Sequence, residues 1–144
     1  MNARLRRAGR LVDLATQRVD AARARLADAR RLAAEAKVDV DRCEGAWCTV
    51  ALAPAQTLTR AEELERQSAH LRTLRLRVDA AVRRAAEAVV HEARADEALL
   101  DAVKHRRKLE LWSERLVQAE QENSVRTEAR AADELAARTV RHRT

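Results

Sequence analysis

The chain has 144 residues, of which 36% are charged and 47% hydrophobic, yet only 1% are aromatic: two Trp, no Phe and no Tyr. Gly occurs twice and Pro once, about one residue in five is Ala, and the net charge is +6. Sheets, sandwiches and nucleotide-binding α/β folds need β-branched strands, frequent turns and glycine loops, so they are excluded. Ala and Leu among many charges is instead the composition of long helices and coiled coils.

Apolar residues recur every seven positions through the first third of the chain. One row is Leu5, Val12, Val19, Leu26, Ala33, Val40 and Trp47; the other is Ala8, Ala15, Ala22, Ala29, Ala36, Cys43 and Val50. Seven unbroken heptads define a coiled-coil seam and predict a first helix over about 3–50. The second row is nearly all Ala, small enough to let a partner helix approach closely. Trp47 ends the large row and reads as a plug closing the core there.

Ala51-Leu52-Ala53-Pro54 ends this helix, because Pro54 has no amide hydrogen and biases Ala53 away from helical geometry. Thr59-Arg60-Ala61-Glu62 is a capping box for a new helix, with Thr57 a competing cap. A connection over about 51–58 is short, so the two helices are expected to be antiparallel neighbours.

No Gly or Pro follows Pro54, which predicts a second helix over about 59–141. Its seam reads as Leu64, Leu71, Leu74, Val78 and Ala81, then shifts to Val82, Ala86, Val89, Ala93, Leu100 and Val103. Leu109, Trp112, Leu116 and Ala119 follow, then Ala129, Ala132, Ala136 and Val140. Such phase shifts are stutters that relax supercoiling. The expected fold is all-α: one antiparallel coiled-coil hairpin over 1–144, with the second helix longer. At 1.5 Å per residue the helices would measure roughly 70 Å and roughly 120 Å. Folding back at Pro54, the first would cover only about 59–104, leaving about 35 residues to overhang, pair elsewhere or fray.

Charge is segregated along the chain. Residues 1–37 carry a net +6, residues 38–65 a net −4, residues 66–108 a net +5 and residues 109–144 a net −1. The run Lys104-His105-Arg106-Arg107-Lys108 invites a nucleic-acid or nuclear-import reading. Five consecutive helical positions, however, spread around the cylinder, and Asp96, Glu97, Asp101, Glu110 and Glu114 stand at pairing distance. With no aromatic platform for bases, a solvated face comes first, a protein-docking face second and nucleic acid third.

Nothing in the pattern converges on chemistry. His70, His91, His105 and His142 are far apart on the second helix, and a two-helix surface is convex where catalysis needs a pocket. No catalytic residue, metal ligand or cofactor is expected. Cys43 and Cys48 lack Cys-x-x-Cys spacing, and five positions apart on a helix they point different ways, which argues against a disulfide. Reduced thiols in a cytoplasmic protein follow. The basic N-terminus precedes no apolar stretch of about 7–15 residues, so no secretory signal is expected. No window approaches the roughly 18–20 apolar residues of a membrane span. Trp112, beside Leu109, Leu111 and Leu116, is either an exposed binding patch or packs near Leu5 if the helices pair in another register.

Two runs carry a family likeness. Glu128-Ala129-Arg130-Ala131-Ala132-Asp133-Glu134-Leu135-Ala136 is similar to a closing segment that ends in an acidic pair followed by Leu and Ala. Arg106-Arg107-Lys108-Leu109-Glu110-Leu111-Trp112 is similar to a basic-apolar stretch that often holds an aromatic where Trp112 stands. With the length, the basic N-terminus and the longer second helix, the chain resembles the FliJ/YscO family, the central stalk proteins of flagellar and injectisome type III export ATPases. The resemblance implies a non-catalytic, monomeric stalk in the cytoplasm, peripheral to the secretion apparatus. It would link a hexameric ATPase to the membrane export gate, with secretion chaperones as further partners and no small-molecule substrate. Arg106, Arg107, Leu109, Trp112, Arg115, Leu116, Arg126 and Arg130 would face the ATPase ring. Asp39, Asp41, Glu44, Leu52, Leu58, Glu62, Glu63 and Glu65 would face the partner at the hairpin tip. The alternatives are a coiled-coil scaffold or helical chaperone that dimerises through the Ala-rich seam, and a basic nucleic-acid-binding rod.

Overall fold

The structure, a computed structural model, describes residues 3–53 and 60–141. It contains two helices, α1 (Ala3–Ala51) and the longer α2 (Ala61–Arg141), with no strand among the described residues. Leu52 N still donates to Cys48 O at 2.9 Å, so α1 closes its last turn just before Pro54. α2 opens with Arg60 O accepting from Glu63 N at 3.1 Å and Leu64 N at 3.2 Å. Arg60 therefore holds the capping position. Thr57, Leu58 and Thr59, read from sequence as two caps and a tip residue, lie outside the described residues. Glu62 and Glu63 occupy the first turn of α2, where the helix dipole favours acids.

Packing divides the chain into two units, Ala21–Leu100 and Met1–Asp20 with Asp101–Thr144. In the first, α1 presents the row expected from its heptads: Ala22 and Leu26 are buried, and Ala29, Ala33, Ala36, Val40, Cys43, Trp47 and Val50 are half-buried. Two cross-helix contacts fix the register. Arg30 Nε is 3.5 Å from Glu92 Oε1, and the Arg75 guanidinium lies 5.8 Å from the Trp47 ring centroid. A step of seventeen residues up α1 matches seventeen down α2, so the pair is antiparallel. The same register sets Ala51 level with Leu71, so the first ten residues of α2 extend past the last turn of α1.

The row that α2 covers in this unit is Gln67, Leu71, Leu74, Val78, Ala81, Ala85, Ala88, Glu92, Ala95 and Leu99, alternating steps of four and three. The stutter expected after Ala81 is absent. Val82, Ala86, Val89, Ala93 and Leu100 are exposed, as is Leu64. Over this stretch Ala29, Ala33 and Ala36 of α1 and Ala85, Ala88 and Ala95 of α2 are all half-buried, so a small row faces a small row.

In the second unit, Ala8, Ala15 and Val19 of α1 are buried and Leu5 and Val12 half-buried. They face Ala102, Val103, Arg106, Leu109, Ser113 and Leu116 of α2, all half-buried. Arg4 and Arg7 share a surface notch with Trp112 and Leu116. The first turns of α1 therefore reach Leu116, beyond the Lys104 limit expected from a fold-back at Pro54. The early start of α2 relative to the end of α1 shifts the pairing. Every residue from Val117 to Thr139 is exposed.

Candidate functional site

The end of pairing is written into α2. Continuing the four-and-three spacing past Leu116 gives Glu120, Asn123, Thr127, Arg130 and Glu134, all polar and all exposed. A helix cannot hold a partner on such a face by apolar burial. Its larger apolar side chains over 117–139, Val117 at 41% exposure, Val125 at 65% and Leu135 at 63%, stand off that row. Local ties support this lone helical segment: Arg126 Nη2 sits 3.6 Å from Glu122 Oε2, and Ser124 Oγ donates to Glu128 Oε1 at 3.2 Å.

The residues read as a ring-binding set thus fall into two groups. Arg106, Leu109 and Leu116 are half-buried seam residues that α1 covers, and they present little to another molecule. Arg106 Nε is shielded from water and lies 3.2 Å from Glu110 Oε1, a charge contact that falls short of hydrogen-bond geometry. Arg107, Trp112, Arg115, Arg126 and Arg130 are exposed. Arg107 reaches Glu110 at 3.3 Å and Glu114 at 3.7 Å, so much of the basic run is neutralised on its own helix. Trp112 keeps 41% of its surface exposed beside Arg4 and Arg7. The N-terminal turns thus stand beside Trp112 while much of its surface stays open.

The acidic tip set is less concentrated than its linear spacing implies. Asp41 and Glu44 are exposed, whereas Asp39 is half-buried and 3.3 Å from Arg42. The register places Glu44 level with Val78, thirteen residues from Glu65, or about 20 Å along the axis. Arg77 and Arg83 stand at the level of the α1 acids. Glu62 and Glu65 are exposed and Glu63 half-buried, and Leu52, at 82% exposure, is the most open large apolar residue described.

Among the described residues no group of His, Cys, Asp or Glu could hold a metal ion, and Cys43 and Cys48 are free thiols. No helix among the described residues is long and apolar enough to cross a membrane. Two shallow grooves lie on the two faces of the 21–100 helix pair. One, of about 490 Å³, has Ala29, Leu32, Ala88 and Ala95 on its floor and charged Arg25, Asp28, Arg84 and Glu87 at its edge. The other, of about 470 Å³, runs between Ala33 and Ala34 of α1 and Ala85, Ala86 and Val89 of α2. Both exist because the Ala layers leave little side chain between the helices. Sequence reasoning missed the exposed row beside the second groove, having assigned its Val and Leu residues to the intramolecular seam. No family model, curated protein or solved structure matches the chain.

Proposed function

We infer that this chain is a non-catalytic, protein-binding stalk of a type III secretion system, cytoplasmic and peripheral to the apparatus. It would couple a hexameric export ATPase to the membrane export gate, with secretion chaperones as further partners. The observation that carries the reading is the stretch of α2 from Val117 to Thr139, exposed throughout and polar along the row that would have continued the seam. A single helix is narrow enough to enter the pore of a protein ring, and this one presents Arg126, Arg130 and Leu135. The two sequence runs that resemble the FliJ/YscO family agree with this use. Leu52, Glu62 and Glu65, around the end of α1 and the start of α2, are the residues offered to the gate.

The test is co-precipitation with a hexameric type III export ATPase from the same genome. Three forms serve: the full chain, a form lacking 117–144, and Arg126→Glu with Arg130→Glu. Capture by the full chain and loss with both altered forms is the expected result. Undiminished capture without 117–144 would overturn the pore reading. A second reading, a coiled-coil scaffold, is favoured by a different observation: Val82, Val89, Val90 and Leu100 are all about half exposed on α2.

A further inference from the structure

The exposed row on α2 has the spacing of a second seam. Val82, Ala86, Val89, Ala93, Asp96 and Leu100 alternate steps of four and three. Each stands one residue after a residue of the row facing α1, namely Ala81, Ala85, Ala88, Glu92, Ala95 and Leu99. One residue is about 100° of helical turn, so the two rows lie roughly a quarter-turn apart. Helices inside four-helix bundles carry two apolar faces in this relation, one for each neighbour. α1 occupies one; the other is bare, with Val82 at 46% exposure, Val89 at 60%, Val90 at 48% and Leu100 at 52%.

We propose that this row pairs with the same row of a second copy of the chain, the two α2 helices running antiparallel about a two-fold axis near Val90. Antiparallel pairing sets Val82 opposite Leu100, Val89 opposite Ala93 and Ala86 opposite Asp96 of the other copy. Every layer is then used twice by symmetry. The flank of the seam, one residue further round, is Arg83, Val90 and Glu97. In this register Arg83 meets Glu97 of the second copy at both ends, and Val90 meets its own equivalent on the axis. Flanking charges of this kind set orientation in coiled coils. A parallel pairing would stack Asp96 on Asp96 inside the seam and put Glu92 against Glu97, two like-charge contacts that the antiparallel one avoids. The groove floored by Ala33, Ala34, Ala85, Ala86 and Val89 lies on the same side and leaves room for the second copy's side chains. This pairing differs from dimerisation through the Ala row, which α1 and α2 already occupy with each other.

Sedimentation equilibrium of the full chain over about 1–100 µM is the test. Concentration-dependent dimer is expected. Val89→Glu should abolish it without loss of helical circular dichroism, since Val89 is exposed. Arg83→Glu should weaken the dimer on the order of tenfold or more, and Arg83→Glu with Glu97→Arg should restore it. Residues 83 and 97 are four turns apart on one helix, so such rescue cannot arise within a single chain. A monomer throughout the range, a dimer indifferent to Val89→Glu, or a double variant no better than Arg83→Glu would each overturn the proposal. None of these variants touches residues 117–144, so the outcome is read separately from ATPase capture.

Discussion

Arg30 and Glu92 join α1 to α2 within the 21–100 unit, Nε to Oε1 at 3.5 Å, and Glu92 sits in the row where its neighbours are Ala and Leu. An acid in an apolar seam costs desolvation that a half-exposed partner returns only in part; the side chains keep 62% and 37% of their surface exposed. A slide of one heptad would set Arg23 or Lys37 opposite Glu92, so the ion pair does not by itself select the register. Glu92→Leu should therefore raise stability by about 1 kcal/mol. Arg30→Ala should lower it by less than about 1 kcal/mol. Thermal melts of both, followed by circular dichroism, check the pair; a large loss with Glu92→Leu would show the ion pair to be stabilising outright.

The buried residues are few and small, and Val19 is the largest that is fully enclosed. Stability must therefore depend steeply on a handful of side chains. Leu26→Ala and Leu74→Ala, each at 5–6% exposure, should cost about 2–4 kcal/mol by lost burial and the cavity left behind. Leu76→Ala, at 68% exposure, should stay within about 0.5 kcal/mol. Urea unfolding of the three resolves the ranking, and equal losses would mean that Leu76 is covered in solution.

Gly9 and Gly45 lie within α1 with nothing inside 4 Å of the place a Cβ would take. Neither has positive φ. The cost of glycine in a helix is then purely its backbone freedom, and Gly45→Ala should stabilise by about 0.5–1 kcal/mol. A rise in melting temperature with unchanged helix content is the expected reading.

How much of this was legible beforehand depends on which helix is considered. On α1 the large and small rows alternate without interruption, and Val19 and Ala15 are buried where their heptads put them. On α2 bulk and burial part company. Val82, Val89 and Leu100 outweigh Ala85, Ala88 and Ala95 in apolar content, so periodicity follows the larger residues and invents a stutter. The covered row obeys spacing instead, keeping steps of four and three through Ala85, Ala88, Glu92, Ala95 and Leu99 whatever their size. The register was hidden for a related reason: Pro54 ends α1 but does not mark where α2 comes level with it. That depends on Arg75 reaching Trp47 and Arg30 reaching Glu92, two contacts without a signature in spacing. Leu109 and Leu116, on the seam by their spacing, lie within the reach of α1 rather than beyond it, while Arg126 and Arg130 remain open on the stretch that pairing leaves bare.

That bare stretch makes a further expectation about dynamics. From Val117 to Thr139 the helix has no apolar cover, so only its Ala-rich composition and ties such as Arg126–Glu122 hold its backbone hydrogen bonds. A lone segment of this length is marginal in water. Its amides should open locally at little free-energy cost, whereas those of Leu74, Val78 and Ala81, and of Ala15 and Val19, should open only with disruption of the helix pair. Hydrogen exchange read by mass spectrometry should show residues 120–139 exchanging at least about 100-fold faster than residues 74–81. Removing 117–144 should leave the melting temperature within about 2 °C while lowering the total helical signal. Strong protection of 120–139 in the isolated chain would mean that something already covers this face, and a partner-entering arm would no longer describe it.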